Sequence, residues 1–421
     1  MGRTQISRAR PPRAGLLTAG LCGSAPAAYV LLWLRLGHEE AAGSDFSASY
    51  VAAQGWRGGT GLYDQAAQLA LHRGLLPGFR IDLPFITPPT TALLAAPSTL
   101  LGVDAAFRVM SALALLLVIA SVALVLRDTH PARGGRRSAI ETAAPALAAL
   151  AGVGSCVVLW QGQWDGLCAL GLAGAYVAWR HDHRLLAGAV LAAGFGATKP
   201  HLAVGLVLFL LATRDRRAIT GMLAGAGAVL LAGLAAGGPR AWVDWLGALS
   251  LSNTHSPVAS LVGYTGLAGS WLGDTGTARA LAAAASVAAV AACAILGDRV
   301  RRAPGRFPTA LAGAVVLSLV AAPHLLPHDL SILAPVAAWM LAGAAGTERM
   351  RAVALIWTAI NAAALLDLGN ASVGPPGRLV PLALTLAGAA ALRATRPAPE
   401  TAEAPAYSSM GSGLGGVVDQ S

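Results

Sequence analysis

The chain has 421 residues, of which 55% are hydrophobic and only 12% are charged, with a formal net charge of +10. Soluble domains carry about 25% charged residues, so this composition excludes an ordinary soluble domain. Apolar runs of about 15 to 24 residues recur along the chain, close to the length that crosses a bilayer as a helix. We therefore predict an all-α polytopic membrane protein, since a membrane barrel would show alternating ten-residue segments instead.

The positive charge is arranged for a membrane rather than for nucleic acid. The arginines cluster in short segments between apolar runs, as the positive-inside rule describes, so we expect a lipid bilayer and no nucleic acid among the partners. Four cysteines (Cys22, Cys156, Cys168 and Cys293) lie within apolar runs without a metal-binding spacing. They are interpreted as small buried hydrophobic residues.

In chain order, a basic cytoplasmic N-terminus (residues 1–14) precedes an apolar run that is too long for a cleavable signal. This run is predicted to be the first of about twelve transmembrane helices, within a range of ten to thirteen. The expected spans are 15–36, 105–126, 139–160, 166–180, 185–198, 201–213, 219–236, 280–297, 308–323, 329–345, 351–367 and 379–394.

The arginine positions orient these spans. With the N-terminus inside, 21 of the 30 basic residues fall on the cytoplasmic side. The apolar segment 86–102 would invert every later loop if it crossed, so it is predicted to lie at the outer interface. The first extracytoplasmic segment then covers 37–104 within a membrane domain of residues 15–396. A Pro-, Ala-, Gly- and Ser-rich tail (397–421) is predicted to be cytoplasmic and disordered.

Polar side chains gather on the predicted outer face. They belong to five separate segments: Asp45, "GQWD" (162–165), "KPH" (199–201), "SNTHS" (252–256) and "PHLLPHD" (323–329). Each has a plain alternative, such as a solvated acid, a turn or a snorkelling lysine. Because all five segments are predicted to lie on the same side of the membrane, they favour a functional site there.

The residue types at this face suit phosphate binding and proton abstraction. Lys199, the single lysine of the chain, can pair with phosphate as a point charge, and an Asp can act as general base towards a hydroxyl. His324 and His328 stand four apart, a metal-ligand spacing. Pro327 interrupts the helical face, however, and we predict no metal and no cofactor. A glycosyl transfer on this side needs a lipid-linked donor.

At this point the chain resembles glycosyltransferase family 87, of the GT-C type. Five blocks carry the resemblance in order: Asp45-Phe46 with Tyr50, Ala53 and "GLYD" (61–64); "TPPTTALLAAP"; "QGQWD"; "LLAGAVLAAGFGATKPHLAVGLVL"; and "APHLLPHDLSILAP". Three motifs depart from the family pattern: Thr87 replaces a tyrosine, Trp164-Asp165 replaces valine-asparagine, and His328 stands where tyrosine is common.

The resemblance implies an inverting transferase that moves a sugar, with mannose expected, from a polyprenyl-phosphate donor to an envelope glycolipid or glycan acceptor. Asp45 would be the catalytic base, and His324 would also act in catalysis. Substrate and donor-phosphate binding would fall to a further set: Lys199, His328, Gln163, Asp165, Tyr63 and His201. Trp56, Tyr63 and Trp164 could stack on sugar faces or lie at the interface.

Three alternatives stay open on these residues. A transferase of the same fold could use decaprenyl-phosphate-arabinose as the donor. A transporter or flippase of lipid-linked precursors also fits broken helices that meet at a lysine, although the polar groups lie on one face and no internal repeat is visible. An inactive scaffold would fit the substituted motifs but not the retained Asp45. The enzyme interpretation expects a multi-pass protein of the cell membrane, with both termini in the cytoplasm and the active site on the extracytoplasmic side.

Overall fold

The computed structural model describes residues 12–76, 83–129, 139–255, 258–345, 347–369 and 378–397. These residues form α-helices and short 3-10 turns and contain no strand. The helices are α1 (Pro12–Leu34), α2 (His38–Gly43), α3 (Asp45–Arg57), α4 (Gln65–Leu75), α5 (Pro89–Ala95), α6 (Val103–Thr129), α7 (Ala139–Leu150), α8 (Val153–Gln161), α9 (Asp165–Arg180), α10 (Arg184–Gly196), α11 (Val204–Thr213), α12 (Arg216–His255), α13 (Tyr264–Leu272), α14 (Gly276–Arg302), α15 (Phe307–Ala321), α16 (Leu333–Gly343), α17 (Arg349–Gly369) and α18 (Val380–Ala394).

The all-helical membrane architecture agrees with the prediction, but the count of twelve spans is not confirmed. Among the described residues, five helices are long and apolar enough to cross a membrane. A sixth span results if α7 and α8, which meet at a 56° bend, are counted as one. Every expected segment overlaps a helix, yet several of these helices are too short to span alone, such as α9 with 16 residues and α16 with 11.

The main core lies where short helices pack inside the bundle. Helix α9 places Tyr176 against Trp339 of α16, with parallel rings whose centroids are 4.4 Å apart. One turn further, Trp179 stacks on Phe307 at 4.7 Å. Because α9 and α16 are surrounded by protein, neither needs the length that a lipid-facing helix requires.

The first predicted outer segment folds as α2 to α5 against the beginning of α6. Phe46 and Tyr50 of α3 pack with Phe107 and with Trp164, which is 7% exposed. Trp164 is therefore a core residue here, and neither of the roles weighed for it, sugar stacking or the membrane interface, matches its position. The segment 86–102 forms α5 and a 3-10 turn (Ala96–Leu100), both packed against α3.

Some predictions concern residues outside the described part. The N-terminal residues 1–11, the tail from 398 and the side chains of 251–257 belong to this group, so the side chains of the "SNTHS" segment lie outside the described residues. Helix α12 is continuous except at Gly238, where φ is +69° and ψ is −173°, and Pro239 follows. This left-handed residue kinks the helix and begins a distal arm, residues 239–250.

Candidate active site

A tight turn between α8 and α9 holds the Asp45 side chain. Gly162 ends α8 with φ +62°, a conformation that suits glycine, and a Cβ there would lie 3.0 Å from the Cβ of Phe46. The glutamines on either side both turn to Asp45. Gln163 Nε2 donates to Asp45 Oδ2 at 2.8 Å, and the Asp45 backbone N–H donates to Gln161 Oε1 at 3.1 Å. The "QGQ" sequence is thus a clamp on the first residue of α3.

Asp45 remains the accessible carboxylate of this region. It lies in the first turn of α3, where the helix dipole favours a negative charge. Its side chain is 32% exposed. A carboxylate that is oriented by an amide and open to substrate meets the geometric needs of a general base.

Behind Asp45 lies a buried ion cluster of Asp165, Lys199 and Asp329. Lys199 Nζ is 2.9 Å from Asp165 Oδ1 and 2.7 Å from Asp329 Oδ1. The side chains of the two acids are at most 1% exposed and that of the lysine is 7% exposed. Buried charges persist when they are paired in this way, and the cluster joins three segments that are far apart in sequence.

The 3-10 turn Pro327–Ile332 brings Asp329 to the lysine. Asp329 Oδ2 accepts from the Leu326 backbone N–H at 2.7 Å, which closes the start of the turn. The turn packs directly on α8 at Gly154, where a Cβ would be 2.1 Å from the Ser331 backbone nitrogen. A side chain at position 154 would therefore displace the turn.

His328 connects Asp45 to the ion cluster. Its Nδ1 lies 3.8 Å from Asp45 Oδ2, and its Nε2 lies 3.6 Å from Asp329 Oδ1 and 4.0 Å from Asp165 Oδ2. The ring is buried, and Nε2 has no hydrogen-bond partner among the described residues. The structure thus places His328 beside the candidate base, and its role in substrate and donor-phosphate binding stays a prediction.

The charges of this region are set by burial and by the lysine. Burial alone would lower the pKa of Lys199, but the carboxylates of Asp165 and Asp329 raise it above its usual range. Burial would raise the pKa of Asp329, yet Lys199 and His328 hold it well below its usual range. For His328, burial and the nearby Lys199 lower the pKa to about 4. The imidazole is neutral at pH 7 and Lys199 pairs with the charged Asp329, whereas burial raises the pKa of Asp165 well above its usual range.

The remaining predicted residues fall into two groups. His324 and His201 both lie near Asp329, and His201 interacts with the His324 backbone and with the charge of Lys199. Tyr63 lies elsewhere, since its hydroxyl donates to the Thr87 carbonyl at 2.7 Å and its ring packs on Phe85. Its predicted role in donor binding gains no support from this position.

Three groups of the cluster have the donor types of a metal site. Ligand atoms of Asp165, His328 and Asp329 all lie within 4.8 Å of one another. Lys199 Nζ already contacts both carboxylates at hydrogen-bond distance, so a cation of the protein occupies the position between them. The absence of a metal requirement stays a prediction.

Sequence reasoning missed two contributors. Asp329 was part of the "PHLLPHD" segment but received no role, although its burial and its pairing with Lys199 make it as central as Asp165. Gln161 lies two residues before Gln163 and was visible as the first letter of "QGQWD". Its contact is with the Asp45 backbone, which no residue pattern could indicate.

Comparison with known proteins gives one match. The model of glycosyltransferase family 87 matches residues 85–323, which is more than half of the chain. No curated protein and no solved structure matches. The matched region contains Gln163, Asp165 and Lys199, whereas Asp45 and His328 lie outside it. The fold brings these two residues to the matched ones.

Proposed function

Because the chain belongs to glycosyltransferase family 87, we propose that it transfers a sugar, with mannose expected, from a polyprenyl-phosphate donor to an envelope glycolipid or glycan. The reaction takes place on the extracytoplasmic face and inverts the anomeric configuration. The observation that carries the proposal is the contrast at the site: Asp45 is open and oriented, while the neighbouring charges are buried and paired.

In the proposed reaction Asp45 accepts the proton of an acceptor hydroxyl as that oxygen attacks the anomeric carbon. The bond between this carbon and the phosphate oxygen breaks, and the polyprenyl phosphate leaves from the opposite face. The transition state has oxocarbenium character, as in glycoside hydrolysis. Gln163 keeps the Asp45 carboxylate oriented through its 2.8 Å hydrogen bond.

The leaving phosphate gains negative charge, and imidazole N–H groups can donate to it. His324 and His201 suit this task because they lie together near Asp329 of the ion cluster. Lys199 was expected to contact the phosphate directly. Its two carboxylate partners support a positioning role instead, in which it holds Asp165 and the turn of His328 in place.

The test is a transfer assay with the purified chain in proteoliposomes. Polyprenyl-phosphate-mannose and decaprenyl-phosphate-arabinose serve as donors with a lipid extract as the acceptor source, and radiolabelled product is measured. Asp45→Asn should lower turnover by about 10²- to 10⁴-fold, the usual contribution of a general base, with an unchanged thermal unfolding midpoint. Asp104→Asn, which alters an exposed acid of the same outer segment, serves as the matched control.

The same vesicles separate transfer from transport. A transferase consumes the donor and forms a new glycoside, whereas a flippase moves the intact donor between leaflets. Donor movement without a new product would overturn the proposal, and so would an Asp45→Asn variant with wild-type turnover.

A further inference from the structure

A cavity of about 800 Å³ lies away from the ion cluster. It is partly open to solvent and is lined by the end of α3, the loop before α4, and α12 from Ala236 into the distal arm (residues 239–250). Its volume falls within the range of about 300 to 1,000 Å³ that is common for ligand pockets. The residues argued for Asp45 chemistry do not line it.

The lining combines aromatic rings with groups that bind hydroxyls. Trp56 and Tyr63 line one side, and their own polar hydrogens are already donated to the carbonyls of Ala236 and Thr87. Asp64 and Asp244 supply carboxylate oxygens, and Arg240 pairs with Asp244 at 3.5 Å. Carboxylates accept hydrogen bonds from hydroxyls and guanidinium groups donate them. A small number of polar groups that converge among aromatic rings is typical of a site for a small ligand.

The distal arm separates this cavity from an apolar surface. Ala241 and Ala248 are buried on the cavity side, whereas Leu246 is 60% exposed on the other side. Such a two-sided helix fits the boundary between lipid and water. A ligand in the cavity would therefore be hydrophilic and could remain attached to a lipid anchor nearby.

Helix α3 sets the distance between the two sites. Asp45 is its first residue and Trp56 its twelfth, so the two ends are about 16 Å apart at 1.5 Å per residue. A single sugar at Asp45 does not reach the cavity, but a short oligosaccharide does.

We infer that this cavity is an acceptor subsite that binds the remote residues of a neutral oligosaccharide whose terminal hydroxyl is presented to Asp45. The inference rests on the proposed function. It adds that the acceptor is a glycan of several sugars rather than a single glycoside, and that Trp56, Asp64 and Asp244 select it. Tyr63, predicted to serve the donor, then serves the acceptor.

The experiment measures binding without turnover, on the full chain in lipid nanodiscs. Octyl glycosides of mannose and of arabinofuranose, with one to four sugars, are titrated by microscale thermophoresis. We expect affinity to rise about tenfold or more with chain length in at least one series, a change of roughly 1.4 kcal/mol.

Gly247→Trp is the decisive variant because Gly247 lines the cavity and a Cβ there meets no atom within 4 Å. Its indole starts from a position where the Cβ has room, should occupy the cavity, and should abolish the gain with chain length. Gly227→Trp lies on the same helix outside the cavity and also meets nothing, so it should keep the gain. Asp244→Asn should reduce the gain about threefold or more, since a hydrogen bond to a charged group is lost.

Two results would overturn the inference: no length dependence in either series, or an equal gain in Gly247→Trp. Asp45→Asn should bind as the wild type does while its transfer is lost. The binding experiment can therefore contradict the acceptor subsite without contradicting the proposed function. The proposed function itself fails if the wild-type chain transfers no sugar from either donor.

Discussion

Asp45 and the ion cluster lie on opposite sides of one imidazole ring, and their carboxylates have different surroundings. Asp45 is partly exposed and is held by an amide, without a cation within hydrogen-bond distance among the described residues. Asp165 and Asp329 are fully buried and share the ammonium group of Lys199. An acid that must take a proton from a substrate needs access, whereas an acid that fixes the backbone needs a partner. The difference assigns chemistry to the first region and architecture to the second, and four experiments can break or sharpen this division.

Removal of the lysine should have the largest effect on stability. Lys199→Met leaves two buried carboxylates without a partner and should cost about 3–5 kcal/mol of the free energy of unfolding. The measurement is unfolding of the full chain by denaturant in mixed micelles. A triple variant that also carries Asp165→Asn and Asp329→Asn removes all three charges and should recover much of the loss. A Lys199→Met chain as stable as wild type would contradict the architectural role.

The next largest effect is expected where Gly154 of α8 packs against the 3-10 turn that carries His328. Gly154→Ala would place a Cβ 2.1 Å from the Ser331 nitrogen and should cost about 1–3 kcal/mol, as overpacking does. Turnover should fall as well, because the displaced turn carries His328. Gly227→Ala meets no atom within 4 Å and should stay within about 0.5 kcal/mol of wild type. Equal stability of the two variants would show that the turn has room to move.

A smaller effect is expected at the Asp45 clamp. Gln163→Ala removes a hydrogen bond to a charged group, which is worth about 1.5–3 kcal/mol, so turnover should fall about tenfold or more while the unfolding midpoint hardly changes. Gln54→Ala removes an amide from α3 that contacts Thr99 rather than Asp45, and should leave turnover within about twofold of wild type. A drop in stability without a drop in turnover would show that Gln163 supports the structure rather than the chemistry.

The last experiment concerns the change in the free energy of unfolding with pH that is due to His328, and its effect per pH unit is small. Its folded-state pKa of about 4 lies below the unfolded value of about 6.5, so the unfolded chain binds an extra proton between these pH values. Stability should therefore fall as pH drops from 6.5 to 4, by at most about 1.4 kcal/mol per pH unit. His328→Gln should reduce the slope in this window, and an unchanged slope would exclude His328 as its source.

Much of the fold was predictable because apolar runs report directly on burial in lipid or protein. The number of spans was not, because an apolar run does not reveal whether lipid or other helices surround it. Helix α9 illustrates this: its aromatic residues Tyr176 and Trp179 stack inside the protein, so its sequence is as apolar as that of a spanning helix without the length of one.

The site was predictable as a meeting of segments but not as a set of contacts. The shared side of the bundle was expected for Asp45, Gln163, Lys199 and His328, and the structure brings all four together. The pairing of Lys199 with Asp329 was not predictable, since 130 residues separate them. Tyr63 lies apart from these residues, although its motif is close to Asp45 in sequence, because α3 separates the two.

The single lysine also offers a chemical report on the folded state. Amine-reactive reagents can modify the chain only at its α-amino group and at Lys199, and the latter is buried between two carboxylates with its pKa raised. An acylating reagent should thus leave Lys199 untouched in the intact protein and label it once the Asp329 turn detaches. Mass spectrometry of one peptide then counts the molecules whose site has opened, in any lipid, and without knowledge of the substrate.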